Sequence, residues 1–371
     1  MTQKEWYIIN DIDQLDTPAL VVYPDRVKHN IALVKDMIDD VSRLRPHVKT
    51  YKNIEVTKMM LEAGITKFKC ATIAEAEMLG MCNAPDVLLA YQPVGPKLER
   101  FSQLVLTYRD TKYACLVDNI RAAKEISGEA VKNDIIIPVY IDLNVGMNRT
   151  GIAPGNDARL LYMECAHLPG IIPVGLHAYD GHIHDGDINT RIQICNDCFE
   201  PVAQLQADLK HKGYPEPVIV AGGSPTFPIH AKRENIECSP GTFVYWDNGY
   251  LSESAEQQFL TAALVVSRVI SLPDKTKICL DLGHKSVAAE KELAKRVLFL
   301  NAPELVMLGQ SEEHLVADAG KGHSYRIGDV LYGLPYHVCP TVALYERAIT
   351  IKNQKVTSEW KNIARDRKIT I

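Results

Sequence analysis

The regular alternation in the first two thirds of the chain constrains its fold most. Short runs rich in β-branched and apolar residues recur at 44–50, 68–73, 86–90, 113–117, 135–143, 172–178, 218–222 and 242–246. Amphipathic stretches separate most of them, as at 118–129, 157–167 and 190–211. Eight strands alternating with helices over about 250 residues is the pattern of a (β/α)8 barrel of the TIM type. An open doubly wound sheet also alternates in this way, and strand counting leaves that alternative open. After Leu251 the texture changes. The runs 264–269, 278–282 and 296–300 follow one another with little helix between them, which predicts a second, mainly antiparallel β domain over 251–371. The barrel then spans 23–250, and the opening segment 1–22 is expected to pair with the β domain.

Composition narrows the function classes. With 46% hydrophobic and 23% charged residues the chain reads as an ordinary globular protein. Its formal net charge of -5 argues against a general nucleic-acid binder, which carries a basic stripe. No apolar run is long enough for a membrane span, and residues 1–6 show no signal-peptide pattern. Nine cysteines at irregular spacing suit reduced thiols in a cytoplasmic protein better than a disulfide framework.

Four polar segments stand out. In the first run, Arg45, His47, Lys49 and Tyr51 share one face if the segment is a strand. A lysine that forms a Schiff base must give up its proton, and positive neighbours such as Arg45 and His47 lower its pKa. A basic edge strand facing water is the other reading. Asp142 to Gly151 ends the fifth run, and its glycines permit a turn that delivers Arg149 to the barrel mouth, unless this is a surface turn with a solvated arginine. Gly175 to His184 packs His177, His182, His184 and Tyr179 together after the sixth run, where histidine supplies general acid or base chemistry. A zinc site built from those three histidines competes with that reading. Gly222, Gly223 and Ser224 follow the seventh run, and backbone N–H groups with a hydroxyl at that place suit a phosphate.

The β domain adds His337 and Cys339. On an extended segment they share a face, and imidazole with thiolate suits Zn2+. A half-buried strand with an inert cysteine is the alternative. Cys195 and Cys198 lie in a predicted helix with no second pair and are read as packing.

Arg45-Pro46-His47-Val48-Lys49-Thr50 resembles the cofactor-lysine motif of the D-threonine aldolase and D-serine dehydratase family, pyridoxal-phosphate enzymes with an alanine-racemase-like barrel. The resemblance extends from Asp16-Thr17-Pro18-Ala19 into the C-terminal domain. It implies that Lys49 carries pyridoxal phosphate, although Tyr51 stands where the family has a histidine. It implies that Arg149 bonds the cofactor's phenolic oxygen, that His177 or Tyr179 lies beside its ring, and that Gly222, Gly223 and Ser224 hold its phosphate. Phe243 and Ser239 replace a tyrosine and an arginine of the family pattern, so only Gly241 and Asp247 carry over there, as structural residues. His337 and Cys339 match the family's metal pair, whose cation binds the substrate's β-hydroxyl. Cysteine in place of aspartate favours zinc over manganese. His184 matches the histidine that the aldolase branch uses as a base. The resemblance therefore implies retro-aldol cleavage of D-threonine-like amino acids to glycine and an aldehyde, by a homodimer acting on a small-molecule substrate. Two alternatives stand: elimination of the D-serine dehydratase or D-hydroxyaspartate lyase type, and a cofactor carrier without catalysis, which would consist of the barrel alone.

Overall fold

A computed structural model describes residues 5–371. The chain opens with β1 (Ala19–Val22) and helix α1 (Pro24–Asp36), and α2 (Ile54–Glu62) follows. Then strands and helices alternate: β2 (Lys67–Cys70), α3 (Ile73–Met81), β3 (Asp86–Leu89), α4 (Pro96–Thr107), β4 (Lys112–Val117), α5 (Ile120–Lys132), β5 (Ile137–Leu143), α6 (Asn156–Cys165), β6 (Ile171–Ala178), α7 (Ile188–His211), β7 (Val218–Ala221), α8 (Phe227–His230) and β8 (Ile236–Cys238). After α9 (Asn248–Glu253) come β9 (Ala263–Ser271), β10 (Lys277–Leu280), β11 (Val297–Phe299), β12 (Val306–Gln310), β13 (Leu315–Asp318), β14 (Val330–Pro335), α10 (Val338–Leu344), β15 (Arg347–Lys352) and β16 (Lys355–Lys361).

The chain divides into two compact units. One holds residues up to 31, 50–55 and 242–365; the other holds 32–49, 56–241 and 366–371. The last six residues thus belong with the barrel, where the buried Glu77 carboxylate accepts from the N–H groups of Thr370 and Ile371. Arg100 fastens the same segment by donating to the carbonyls of Arg367 and Ile371.

The barrel unit is a seven-stranded parallel sheet in the order β2-β3-β4-β5-β6-β7-β8. Residues 44–47 bridge its two edges. Leu44 pairs with Cys238 of β8 and His47 with Lys69 of β2, so this short segment stands where an eighth strand closes a barrel. Two of the eight expected strands are corrected by this arrangement. Segment 44–50 does not run on as a strand, because Pro46 lacks the N–H that a ladder needs and Val48–Thr50 coil into a 3-10 turn. Segment 242–246 is likewise not a strand, since Thr242–Val244 form a 3-10 turn. The last barrel strand is β8, hidden from pattern reading by the charged Glu237 at its centre.

That charge points inward. Arg45, only 1% exposed, donates through Nε to Glu237 at 2.6 Å and through Nη1 to Asp86 at 2.6 Å, and Lys67 reaches Glu237 at 2.5 Å. Arg45 therefore serves closure of the barrel. Gly175 leaves room for the Tyr140 ring, which a side chain there would meet at 2.5 Å. The βα turns that frame the cavity are capped locally. Thr72 accepts from the Glu75 N–H while the Glu75 carboxylate accepts from Ala71, and Asn119 and Asp187 cap α5 and α7.

The other unit is a nine-stranded sheet with the path β12-β13-β10-β9-β1-β15-β16, on which β14 pairs with β9 and β11 with β14. Its pairings are antiparallel except that of β1 with β15. One apolar core gathers Val265, Leu280, Phe299 and Leu315, and another gathers Val21, Leu264, Tyr332 and Ile351. All nine cysteines are free, and among the described residues no helix is long and apolar enough to cross a membrane.

Candidate active site

The period of two along barrel strands decides what faces inward at their C-terminal ends. On β2, Lys67 and Lys69 alternate with Phe68 and Cys70; on β5, Tyr140 and Asp142 share a face; on β6, Gly175 and His177 do so. The lower members build the ion network and the Tyr140 packing. The upper members line a cavity of about 610 Å³, within the size range of small-ligand sites. Lys49, Lys69, Arg149, His177, Tyr179 and Arg367 all line it.

Its polar groups form a chain. His177 Nδ1 lies 2.7 Å from Asp142 Oδ1, and His177 Nε2 lies 3.5 Å from the Lys69 amine. A carboxylate only accepts, so Nδ1 carries the hydrogen and Nε2 presents its lone pair to Lys69. Lys69, His177 and Asp142 are only 2%, 4% and 6% exposed. Burial pushes Asp142 up, but the His177 bond, the Thr150 hydroxyl and Arg149 outweigh it and hold the carboxyl below its ordinary value. Burial lowers the His177 pKa despite Asp142, which keeps the imidazole neutral. The Lys69 amine is brought down to about 7, by burial first and by the charge of Lys49 next. The Tyr179 ring collects three cations, with Arg149, Lys69 and Lys49 at 5.0, 5.5 and 5.9 Å from its centroid.

The cavity thus offers Lys49, Lys69, Arg149 and Arg367 against the carboxylates Asp118 and Asp142. Both carboxylates are already engaged, Asp118 by the Gly151 N–H and Asp142 by His177. This donor set fits an anionic carbonyl cofactor such as pyridoxal phosphate: an amine to bond it, a guanidinium for its oxygens and an aromatic face for its ring.

Other residues singled out in the sequence lie elsewhere. Gly222 adopts a left-handed φ of 78° and donates to Ala178, while the Gly223 N–H donates to Thr226 and Ser224 Oγ accepts from Gly241. These three do not line the cavity, and the Tyr179 ring lies against Gly223. His184 is exposed on the loop after β6 and does not line the cavity either. The three histidines at the end of β6 and on the loop after it do not converge: His177 bonds Asp142, while His182 lies 3.8 Å from Cys198. Behind the loop, Asp180, Cys195 and His230 form a buried cluster of metal-capable groups, the one such set of three among the described residues. The His230–Asp180 distance of 2.8 Å is a hydrogen bond, shorter than the ~3.3 Å that separates ligands around zinc. Thr226 completes the cluster with a bond to Asp180, and together they fix the loop.

His337 and Cys339 come together at the start of α10, but not on an extended segment. His337 is the residue before the helix and Cys339 lies in its first turn, a place that accepts Pro340. Cys339 Sγ lies 3.2 Å from Thr50 and 3.6 Å from Thr242. Burial works against the His337 imidazolium, but Cys339, then Glu290 and Asp247, outweigh it and raise its pKa to about 9. Glu290 holds the Nδ1 edge of the ring, as an outer carboxylate does for a metal-bound histidine. Asp247 caps α9 and accepts from the Val338 N–H, tying the pair to the unit's framework.

Comparison with known proteins matches residues 22–249 to the alanine racemase N-terminal domain and 262–351 to a putative serine dehydratase domain. The chain is 27% identical to a D-threonine aldolase of Arthrobacter sp, over 95% of this chain and 93% of that one. It is 25% identical to a D-threo-3-hydroxyaspartate dehydratase of Delftia sp. (strain HT23), over 94% and 97%. A crystal structure of D-threonine aldolase from Filomicrobium marinum superposes with a TM-score of 0.87 at 25% identity, over 95% of this chain and 96% of that one. With the first domain match covering more than half of its length, the chain belongs to the alanine-racemase-like family of pyridoxal-phosphate enzymes that includes the D-threonine aldolases and D-serine dehydratases.

Proposed function

We propose that this lyase cleaves D-configured β-hydroxy amino acids of the D-threonine type to glycine and an aldehyde, with pyridoxal phosphate in the barrel cavity and a divalent cation on His337 and Cys339. The observation that carries the reading is the cavity itself, where Lys49, Arg149, Tyr179 and the Asp142–His177 pair face one space with an excess of positive charge. Lys49 would hold the cofactor by its amine, and Arg149 and Tyr179 would position it. When bound, the cofactor supplies an electron sink for the bond broken at Cα. The Asp142–His177 bond fixes one tautomer and keeps a neutral imidazole in the cavity. By the resemblance, Gly222, Gly223 and Ser224 would hold the cofactor's phosphate, beside the Tyr179 ring that lies against Gly223. His337 and Cys339 suit zinc by their donor atoms, with manganese the alternative, and a cation there supplies acidity for a hydroxyl. The enzyme works as a homodimer, which light scattering checks.

The second reading is elimination to a 2-oxo acid and ammonia, favoured by the hydroxyaspartate dehydratase relative over 97% of its length. Incubation with D-threonine, pyridoxal phosphate and Zn2+ or Mn2+ separates the two. Glycine with acetaldehyde is expected; 2-oxobutanoate with ammonia would establish the second reading. Borohydride reduction and peptide mapping should find the pyridoxyl group on Lys49, and its recovery on Lys69 would refute the assignment of the cofactor lysine.

A further inference from the structure

Lys69 is the unexplained group of the cavity. Its neighbour on the same face, Lys67, has a carboxylate partner in Glu237, whereas Lys69 forms no ion pair with any described residue. A buried ammonium without a counter-charge is unfavourable, and the surroundings answer by favouring the neutral amine. The charged groups around it are Lys49 and Arg45, which lower its pKa, and Asp180 and Asp142, which raise it. From β6 the neutral His177 faces it, and the Tyr179 ring, which also carries Arg149, lies 5.5 Å from its amine. The lone pair of His177 Nε2 takes one amine hydrogen and so aims the nitrogen. The rest of the amine faces the cavity.

We propose that Lys69 is the acid–base group of this site, positioned by Asp142 and His177, and takes the part that sequence reasoning gave to His184. The proposal rests on the retro-aldol reading. In the step, the substrate's β-hydroxyl gives its proton to the neutral Lys69 amine. The O–H electron pair becomes the second bond of the aldehyde carbonyl, and the Cα–Cβ pair passes to Cα. The Lys69 ammonium then returns the proton to Cα. Oxygen and Cα are separated by one carbon, so a single amine serves both atoms, and no other proton donor is consumed. A group that titrates near the working pH is suited to both directions of transfer.

Two measurements test this. In the apoprotein labelled with 13Cε-lysine, NMR follows each lysine through pH, and the signal missing from Lys69→Met identifies Lys69. Its midpoint is expected near 7. A midpoint above 9 overturns the proposal, and this reading needs neither cofactor nor turnover. In the holoenzyme, Lys69→Met should keep the bound-cofactor absorbance and lose about 100-fold or more in kcat. The rise of kcat with pH near 7 should disappear in that variant. Lys69→Arg, which keeps the charge but exchanges no proton, should not restore turnover. Full activity in Lys69→Arg, a persisting limb near 7, or a collapse confined to His184→Ala would each overturn the assignment. A wild type that makes 2-oxobutanoate while Lys69 titrates near 7 refutes the retro-aldol reading and leaves the titrating amine in place.

Discussion

Replacing Lys69 with methionine should make the apoprotein more stable at neutral pH. The amine is almost fully buried, and its pKa falls from 10.5 to about 7, by burial first and then by Lys49. Each unit corresponds to about 1.4 kcal/mol. Below pH 10.5 the unfolded chain binds a proton that the folded site resists. Stability is therefore lost as pH falls from 10.5 towards 7, and the loss levels off below 7. The penalty works out to about 4 kcal/mol at pH 7 and about 1 kcal/mol at pH 9.5. Methionine forfeits the bond to His177 Nε2, which returns about 1 kcal/mol. The variant should thus exceed the wild type by about 3 kcal/mol at pH 7 and match it at pH 9.5. Urea unfolding at the two pH values, with equal m values as the control, measures the difference. A variant less stable at pH 7, or a difference that does not change with pH, would refute the account of Lys69 as a depressed, desolvated amine.

Four further outcomes follow from the geometry. Glu237→Gln removes one carboxylate of the buried Arg45 while Asp86 remains, and should lower the unfolding free energy by about 3 kcal/mol in denaturant titration; a loss below about 1 kcal/mol would contradict the closure role. Asp142→Asn removes a carboxylate that raises the Lys69 pKa, so the NMR midpoint should fall by about half a unit to one unit, and a rise would count against the relay. Dialysis against a chelator should stop turnover while the cofactor absorbance persists. His337→Ala and Cys339→Ala should each weaken zinc binding at least roughly tenfold by calorimetry, and unchanged affinity would place the metal elsewhere.

The barrel was legible from the sequence because its strands are apolar runs at regular spacing. The two strands misplaced at its closure show why the rest was not. Residues 44–47 make only single bridges around Pro46, and β8 is three residues long with a buried glutamate at its centre, so neither carries a period-two apolar signal. Lys49, Arg149, His177 and Tyr179 were singled out by local motifs, and one cavity holds all four. Lys69 and the role of Asp142 escaped notice because each sits inside a strand, and its meaning depends on a neighbour far along the chain. The alternation Lys67-Phe68-Lys69 was the available signal: two lysines on one face of an interior strand require either partners or a function. The role of His184 came from the resemblance to the aldolase branch, and a motif match does not reveal which way a loop turns its side chains; here His184 is exposed and does not line the cavity.

Closure of the barrel has a kinetic consequence. Leu44 and Cys238, which meet across the seam, lie roughly 200 residues apart in sequence. Pairings of that separation carry a large loop-closure entropy and form late, after neighbouring strands have zipped together. Lys49 follows this seam by only a few residues, so the amine takes up its place as the ring shuts. Capture of an aldehyde cofactor during refolding then works as a clock for the last step of assembly: it should lag behind the recovery of helical structure.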